Sequence, residues 1–113
     1  CLRRIAIREP AIGAWAHLDA DFALAQADAA DAARAAGQPL GLLHGIPVGI
    51  KDIIDTEDLP TEHGTPAFAG RRPQRDAEVV RRLKAAGAVI LGKTVTTELA
   101  FYGPGKTRNP ADP

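Results

Sequence analysis

The sequence predicts an α/β fold built around one strand–helix–strand unit. Two short apolar runs, Val48–Lys51 and Ala88–Leu91, have the length and the Gly and Pro boundaries of buried strands. Between them lies an amphipathic segment, Ala77–Ala86, whose apolar residues recur at helical spacing. Because such crossovers are right-handed, both strands should end at the same edge of a sheet, which is where open α/β proteins bind their ligands.

A first strand is predicted over Ile12–Leu18, near the N-terminus. Its alternation would place Trp15 and His17 on one face. We interpret His17 as a strand side chain at the surface and not as a catalytic group.

A helix is predicted next, over roughly Phe22–Ala36. Asp19 or Asp21 can cap its N-terminus, and Gly37 can end it in the left-handed conformation. Small side chains on its inner face would let it approach a sheet closely. The expected inner-face residues are Phe22, Ala25, Ala29, Ala32 and Ala36.

The central stretch is Leu40–Thr56, with Lys51 at the end of its apolar run. Branched apolar neighbours at Val48, Ile50 and Ile53 predict a desolvated environment, which disfavours a charged lysine. The chain has four lysines and ten arginines. Since arginine keeps its proton whereas a desolvated lysine can lose it, the choice of lysine here is compatible with a general base. A lysine that extends to the surface or pairs with a carboxylate is the structural alternative.

A long loop, Asp55–Arg75, follows this strand, and loops of that length inside compact domains are often functional. Asp52 and Asp55 are expected to be loop caps or ion-pair partners. Asp76 is expected to cap the second helix, which Gly87 would end. The predicted inward-facing residues of that helix are Val79, Val80, Leu83 and Ala86.

Composition excludes several classes of function. The formal net charge is zero, which argues against a nucleic-acid partner, and no apolar run is long enough to span a membrane. The single cysteine, Cys1, cannot form an internal disulfide, and the three histidines lack metal-ligand spacing, so we predict no metal. A cytoplasmic protein is the default expectation. The 113 residues begin at Cys1 and contain no methionine, which suggests part of a larger domain.

One segment imitates a nucleotide-binding motif. Gly87–Thr94, GAVILGKT, matches the P-loop pattern G-x-x-x-x-G-K-[ST]. A P-loop follows a strand, whereas here a helix precedes Gly87, and the four middle residues are strongly strand-forming. We therefore predict no nucleotide site, and we expect Lys93 to be structural or peripheral.

The chain contains no serine, which limits the candidate nucleophiles. Cys1 is terminal, and the threonines have no evident neighbouring base. If Lys51 is a base, its nucleophile must therefore come from sequence other than these residues.

Two motifs give the chain a resemblance to amidase signature enzymes. The first is GIPVGIKD, Gly45–Asp52, and the second is DAEVVRRLKAAGAVILGKT, Asp76–Thr94. The similarity covers about Leu40–Pro110, with a weaker match back through Ala14–Ala27. At the C-terminal end, TRNPADP (Thr107–Pro113) has Ala111 where the family usually has an aromatic residue.

The resemblance implies an amide hydrolase with a Ser–cis-Ser–Lys triad, in which Lys51 is the base. Both serines belong to a Gly/Ser-rich segment expected after this stretch, so residues 1–113 would be the N-terminal portion of a single amidase signature domain. It also implies a mixed sheet flanked by helices and no cofactor. Phe101 and Tyr102 align with a region near the acyl pocket of the family and are candidate substrate contacts.

The implied partners are a small-molecule amide substrate and the remainder of the chain itself, and a homo-oligomer is compatible with the family. An alternative enzyme is the glutaminase subunit of a tRNA-dependent amidotransferase, which shares the family core. An alternative of another class is a non-catalytic binding module or a truncated product.

Overall fold

The computed structural model describes residues 1–112, and Pro113 of the TRNPADP motif lies outside the described residues. Helices and strands follow one another along the chain, and 3₁₀ turns at Pro66–Phe68 and Glu98–Ala100 lie in the connecting segments. The principal elements are α1 (Leu2–Ile12), β1 (Trp15–Leu18), α2 (Ala20–Ala35), β2 (Pro47–Lys51), α3 (Glu78–Ala85) and β3 (Val89–Thr94).

The strands form a mixed sheet in the order β1-β3-β2. β2 and β3 are parallel and joined through α3, whereas β1 is antiparallel to β3. The predicted α/β class and the strand–helix–strand unit are therefore confirmed. β3 is longer than predicted, since it continues through Gly92 and Lys93 to Thr94. Gly92 permits this pairing because a Cβ there would lie 2.3 Å from the carbonyl oxygen of His17 on β1.

The sheet separates two apolar clusters. Ile50, Val80 and Ile90 form one of them together with Leu59. The other contains Ala23, Val89 and Leu91, with Trp15 and Ile5 packed against it. Alternation along the strands explains the division, because neighbouring residues such as Val89 and Ile90 project to opposite faces. Covering both faces of the central strand β3 stabilises the parallel pair.

The predicted inner face of α2 is right for Phe22, which packs against the cluster of Ile50 and Ile90, and wrong for its alanines. The buried residue is Ala23, whereas Ala25, Ala29 and Ala32 are exposed. Gln26 accounts for the orientation. Its side-chain amide donates to the carbonyl of Ile90 and accepts from the Ile90 N–H, both at 3.0 Å. The amide thus satisfies backbone groups of β3 beyond the end of the short strand β1. Asp19 caps the helix, as one of the two predicted alternatives.

Helix α1 was not predicted from the sequence. It contains Pro10 in its last turn and ends at Gly13, which adopts the left-handed conformation. The carboxylate of Glu9 accepts hydrogen bonds from the backbone N–H groups of Ala14 (3.0 Å) and Trp15 (2.9 Å). These bonds connect the end of α1 to the start of β1, and they explain why the strand begins at Trp15 and not at Ile12.

The predicted cap of α3 is also wrong. Ala77 is the N-cap residue and makes no side-chain hydrogen bond. Asp76 instead accepts from the N–H of Glu57 and from the ammonium of Lys84, so it fastens the long loop to the helix. Val80 is fully buried, as predicted, but Val79 is half exposed. Among residues 1–112, no helix combines the length and apolar character needed to cross a membrane.

Candidate active site

Lys51 is the last residue of β2, at the carboxyl edge of the parallel pair. Its partner in the sheet is Thr94, the last residue of β3. The Lys51 side chain is exposed, and no hydrogen bond or ion pair joins it to another residue within 1–112. This edge is where the parallel strands were predicted to bring their carboxyl ends together.

The apolar neighbours of Lys51 in sequence do not surround its side chain. Ile50 is buried in the cluster with Val80 and Ile90, whereas Lys51 projects from the other face of the sheet. The predicted desolvation by Val48, Ile50 and Ile53 is therefore wrong for the part of the chain that the structure describes. A strand's alternation is the physical reason, because residues next to each other in sequence leave on opposite sides.

In contrast to Lys51, the side chain of Lys93 is fully buried. Its ammonium donates to the carbonyl oxygens of Ile54 (2.9 Å) and Pro60 (3.2 Å), and to the hydroxyl of Thr61. Asp52 Oδ1 lies 3.5 Å from Lys93 Nζ. Burial lowers the pKa of Lys93, and the Asp52 carboxylate opposes that shift.

The segment that matches the P-loop pattern, Gly87–Thr94, does not have the conformation of a phosphate-binding loop. Val89–Thr94 is a paired β-strand, so its backbone amides are not arranged around a phosphate. Lys93 points into the protein, where carbonyl and hydroxyl oxygens use its donors. The prediction of a structural Lys93 is confirmed, and its position is internal and not peripheral.

The loop after β2 is held by charged side chains. Arg71 makes a bidentate contact with Asp55, at 2.7 and 2.9 Å, and also donates to the carbonyl of Thr61. The Arg71 guanidinium lowers the pKa of Asp55 through these hydrogen bonds. Asp52 accepts from the N–H of Glu62 and has 2 % of its surface exposed. Both aspartates are thus loop and ion-pair partners, as predicted.

His17 is half-buried and belongs to this supporting network. Its Nε2 lies 3.0 Å from Glu62 Oε2. The pKa of Glu62 is lowered, first by the backbone N–H of Gly70 and then by His17. His17 thus joins β1 to the long loop, a structural position that agrees with the prediction of a strand residue. The predicted shared face of Trp15 and His17 is wrong, because the register shifts between them: Trp15 pairs with Thr94 and packs on the Ala23 cluster, whereas His17 pairs with Lys93.

Phe101 and Tyr102 lie on the turn that follows β3, and both side chains are exposed, by 84 % and 63 %. Their rings form an edge-to-face pair with centroids 5.3 Å apart. The turn is strained, since Leu99 and Ala100 have positive φ. Its connection to the Lys51 strand is indirect: the N–H of Leu99 donates to the carbonyl of His63. A role in substrate binding remains a prediction for these two aromatic residues.

An acidic cluster of Glu57, Asp58 and Asp76 lies on the loop side of α3. The ammonium of Lys84 contacts Asp58 and Asp76 and lies 3.8 Å from Glu57. These carboxylates therefore already have a protein cation between them, which explains their grouping.

Comparison with known proteins decides the family. The family model described as Amidase matches residues 1–113, which is the whole chain. The chain belongs to the amidase signature family. The match agrees with the resemblance carried by GIPVGIKD and by Asp76–Thr94.

The relatives within the amidase signature family include both hydrolases and a transferase component. A glutamyl-tRNA(Gln) amidotransferase subunit from Salinispora arenicola is 45 % identical over 119 residues, covering 98 % of this chain and 24 % of that protein. The peptide amidase of Stenotrophomonas maltophilia is 41 % identical with a TM-score of 0.83, covering 94 % of this chain and 22 % of the other. An amidase family protein of Bacillus anthracis is 29 % identical with a TM-score of 0.86, covering 99 % and 25 %. The chain thus spans about a quarter of the length of such relatives.

The contacts of Lys93 with the loop after β2 were not predicted from the sequence. The local signal was ambiguous, since Gly92 separates the apolar run Val89–Leu91 from Lys93 and glycine is also typical of a turn. Its acceptors Thr61 and Pro60 lie 32 and 33 residues away in sequence. No local pattern indicates contacts over that separation.

Proposed function

We propose that this chain contributes the base of an amide hydrolase, and that the base is Lys51. The observation that carries the proposal is the position of Lys51: it ends β2 within the family motif GIPVGIKD, at the carboxyl edge of the parallel strands. Family membership over the whole chain supports carbon–nitrogen bond hydrolysis as the reaction class. The substrate proposed is a small-molecule amide, without a cofactor.

The lysine side chains differ in whether their amines are exposed and free of hydrogen-bond partners among residues 1–112. Lys84 is held by acidic side chains, and Lys93 is buried among oxygen acceptors. Lys51 is exposed at the sheet edge, with its amine unengaged by residues 1–112. A base must reach the proton that it accepts, and Lys51 meets this requirement where Lys93 does not.

The proposed reaction uses a Ser–cis-Ser–Lys triad. These 113 residues contain no serine, so both serines would come from further sequence of the same protein. The neutral amine of Lys51 accepts a proton through the bridging serine, and the second serine attacks the amide carbonyl carbon. Backbone N–H groups stabilise the resulting oxyanion. The relayed proton passes to the departing amine, and water then hydrolyses the acyl-enzyme.

The exposed surfaces of this chain are also compatible with its being part of a larger domain. The structured residues would form the N-terminal portion of one amidase signature domain, and the remainder of that domain would cover the exposed sheet edge and apolar surfaces. We place the enzyme in the cytoplasm. Phe101 and Tyr102, exposed on the turn after β3, are the proposed substrate contacts.

A test of the proposed reaction uses the full-length protein and a panel of chromogenic amides. Lys51→Ala should lower hydrolysis by about 10²–10⁴-fold or more, the range for losing general-base assistance. Lys106→Ala is the matched control, since Lys106 is an exposed lysine that lies beside Gly13 at the end of α1, and it should keep normal turnover. Equal turnover in the two variants would refute Lys51 as the base.

A second candidate function is the glutaminase subunit of a tRNA-dependent amidotransferase, which the identity to the Salinispora arenicola protein favours. Such a subunit hydrolyses glutamine and passes ammonia to a partner. Full-length protein should then release ammonia from glutamine, and added partner subunits should increase that rate. Hydrolysis of aryl or peptide amides without any partner would favour the free-standing hydrolase.

A further inference from the structure

We propose that Lys93 is a positioning residue for the reaction at Lys51, because its buried side chain fixes the chain segment that leaves Lys51. This inference rests on the proposed function, since it takes Lys51 as the base. Lys93 itself is fully buried on the face of the sheet opposite to Lys51, so its proposed role is to position and not to react.

The ammonium of Lys93 has its donors used by three fixed acceptors. Ile54 and Pro60 offer backbone carbonyl oxygens at 2.9 and 3.2 Å, and Thr61 offers its hydroxyl. A lysine ammonium has three N–H donors, so these acceptors saturate it. Together the acceptors span both ends of the turn between residues 54 and 61, and one side chain from β3 therefore closes that turn.

A backbone hydrogen bond joins the closed turn to Lys51. The N–H of Ile54 donates to the carbonyl oxygen of Lys51 at 2.9 Å, while the carbonyl of Ile54 accepts from Lys93. The residue after Lys51 is also held, since the N–H of Asp52 donates to the carbonyl of Thr94 at 2.8 Å. The backbone that carries Lys51 is thus tied to β3 through Thr94 and to the turn through Ile54.

The buried carboxylate of Asp52 makes the conformation of this turn depend on the positive charge of Lys93. Asp52 is almost completely buried, and its Oδ1 lies 3.5 Å from Lys93 Nζ. Asp55 and Arg71 are the other charged groups that act on Lys93, and they bind each other. Removing the Lys93 ammonium would leave Asp52 as a buried carboxylate without its cation, which is costly. The turn must then rearrange, and the end of β2 moves with it.

The experiment uses the full-length enzyme and the variant Lys93→Met, which keeps the length of the side chain and removes its charge and donors. Because a displacement of about 1 Å at a reacting group can cost about 100-fold, we expect kcat to fall roughly tenfold or more. KM should stay within about threefold, since substrate contacts are unchanged. Lys106→Met is the control: Lys106 is an exposed lysine outside the turn between residues 54 and 61, so kcat should stay within about twofold. A folded Lys93→Met with normal kcat, or with a loss confined to KM, would overturn the inference.

A second variant, Lys93→Met/Asp52→Asn, covers the case in which the single variant does not fold. It leaves no uncompensated buried charge, and thermal melting would establish that it is folded. The carbonyls of Ile54 and Pro60 remain without their donor, so kcat should stay roughly tenfold or more below normal. Recovery of normal kcat would show that Lys93 serves only to neutralise Asp52, and would overturn its positioning role.

Failure of this inference can be distinguished from failure of the proposed function. Full activity in Lys51→Arg would remove the proposed function, whatever the Lys93 variants show. An inactive Lys51→Arg together with a fully active Lys93→Met would remove only the inference about Lys93.

Discussion

Lys51 and Lys93 lie at the ends of neighbouring parallel strands but project from opposite faces of the sheet. In the register of β2 and β3, Lys93 is paired with Ile50, and Lys51 is paired with Thr94. One residue of offset therefore separates an exposed lysine from a fully buried one. Within residues 1–112 the Lys51 amine has no hydrogen-bond partner, whereas the Lys93 ammonium donates to oxygen atoms of the loop after β2.

Nucleotides should not bind through the segment that resembles a P-loop. Because Val89–Thr94 is a paired strand, a phosphate could be cradled only by dissolving it. Isothermal titration of ATP and GTP should give no saturable heat at millimolar concentrations. A clear isotherm that disappears in Lys93→Ala would contradict both this prediction and the observed sheet.

The Asp55–Arg71 pair should make stability fall in acid. Arg71 lowers the pKa of Asp55 below its ordinary value of 3.8. Ionised Asp55 therefore contributes stability above that value, and the contribution is lost as the pH falls through the lower pKa of the folded state. Arg71→Leu should reduce this acid dependence, measured by thermal melting of the full-length protein at several pH values.

Arg72→Leu is the control for that measurement, because Arg72 is exposed and its side chain donates to the backbone carbonyl of Asp58 and not to a carboxylate among the described residues. Its acid dependence should match that of the unaltered protein. If Arg71→Leu and Arg72→Leu lose stability with the same pH profile, the Asp55–Arg71 pair does not determine it.

Gly92→Ala should weaken the pairing of β1 with β3. An added Cβ would lie 2.3 Å from the carbonyl oxygen of His17 and 3.1 Å from the Cα of Leu18, and backbone atoms cannot yield locally. Overpacking of this kind costs about 1–3 kcal/mol. Chemical denaturation of the full-length protein measures the loss. Gly103→Ala is the control, since a Cβ at Gly103 meets no atom within 4 Å; equal midpoints for the two variants would contradict the close approach.

Residues 1–113 alone should be neither active nor a well-folded monomer. Within residues 1–112, β2 has a strand partner on one side only, and several large apolar side chains are exposed. Unpaired strand edges and apolar surface favour association. Sedimentation and amide exchange would test the folding, and a chromogenic amide would test the activity. A monomer with strongly protected strand amides would contradict the first part, and turnover that depends on Lys51 would contradict the second.

The sequence predicted the strand–helix–strand unit because its signals are local. Apolar runs, Gly87 and the helical spacing of Val80 and Leu83 each indicate an element without knowledge of its neighbours. The edge that carries Lys51 followed from the handedness of the crossover.

Contacts across the chain were not predictable in the same way. The orientation of α2 depends on Gln26 binding the backbone of Ile90, which is 64 residues away. Helix α1 buries no residue and contains Pro10, so its pattern carried no core signal. The burial of Lys93 depends on acceptors that only the folded loop between Ile54 and Thr61 brings together.

The measurement that tests the central claim most directly is the turnover of Lys51→Arg in the full-length protein. Arginine keeps the positive charge and much of the length of lysine, but it cannot give up its proton to act as a base. With the fold confirmed by an unchanged thermal melt, amide hydrolysis should fall by about 10²–10⁴-fold or more, as in Lys51→Ala. Near-normal turnover in Lys51→Arg would contradict the assignment of Lys51 as the general base.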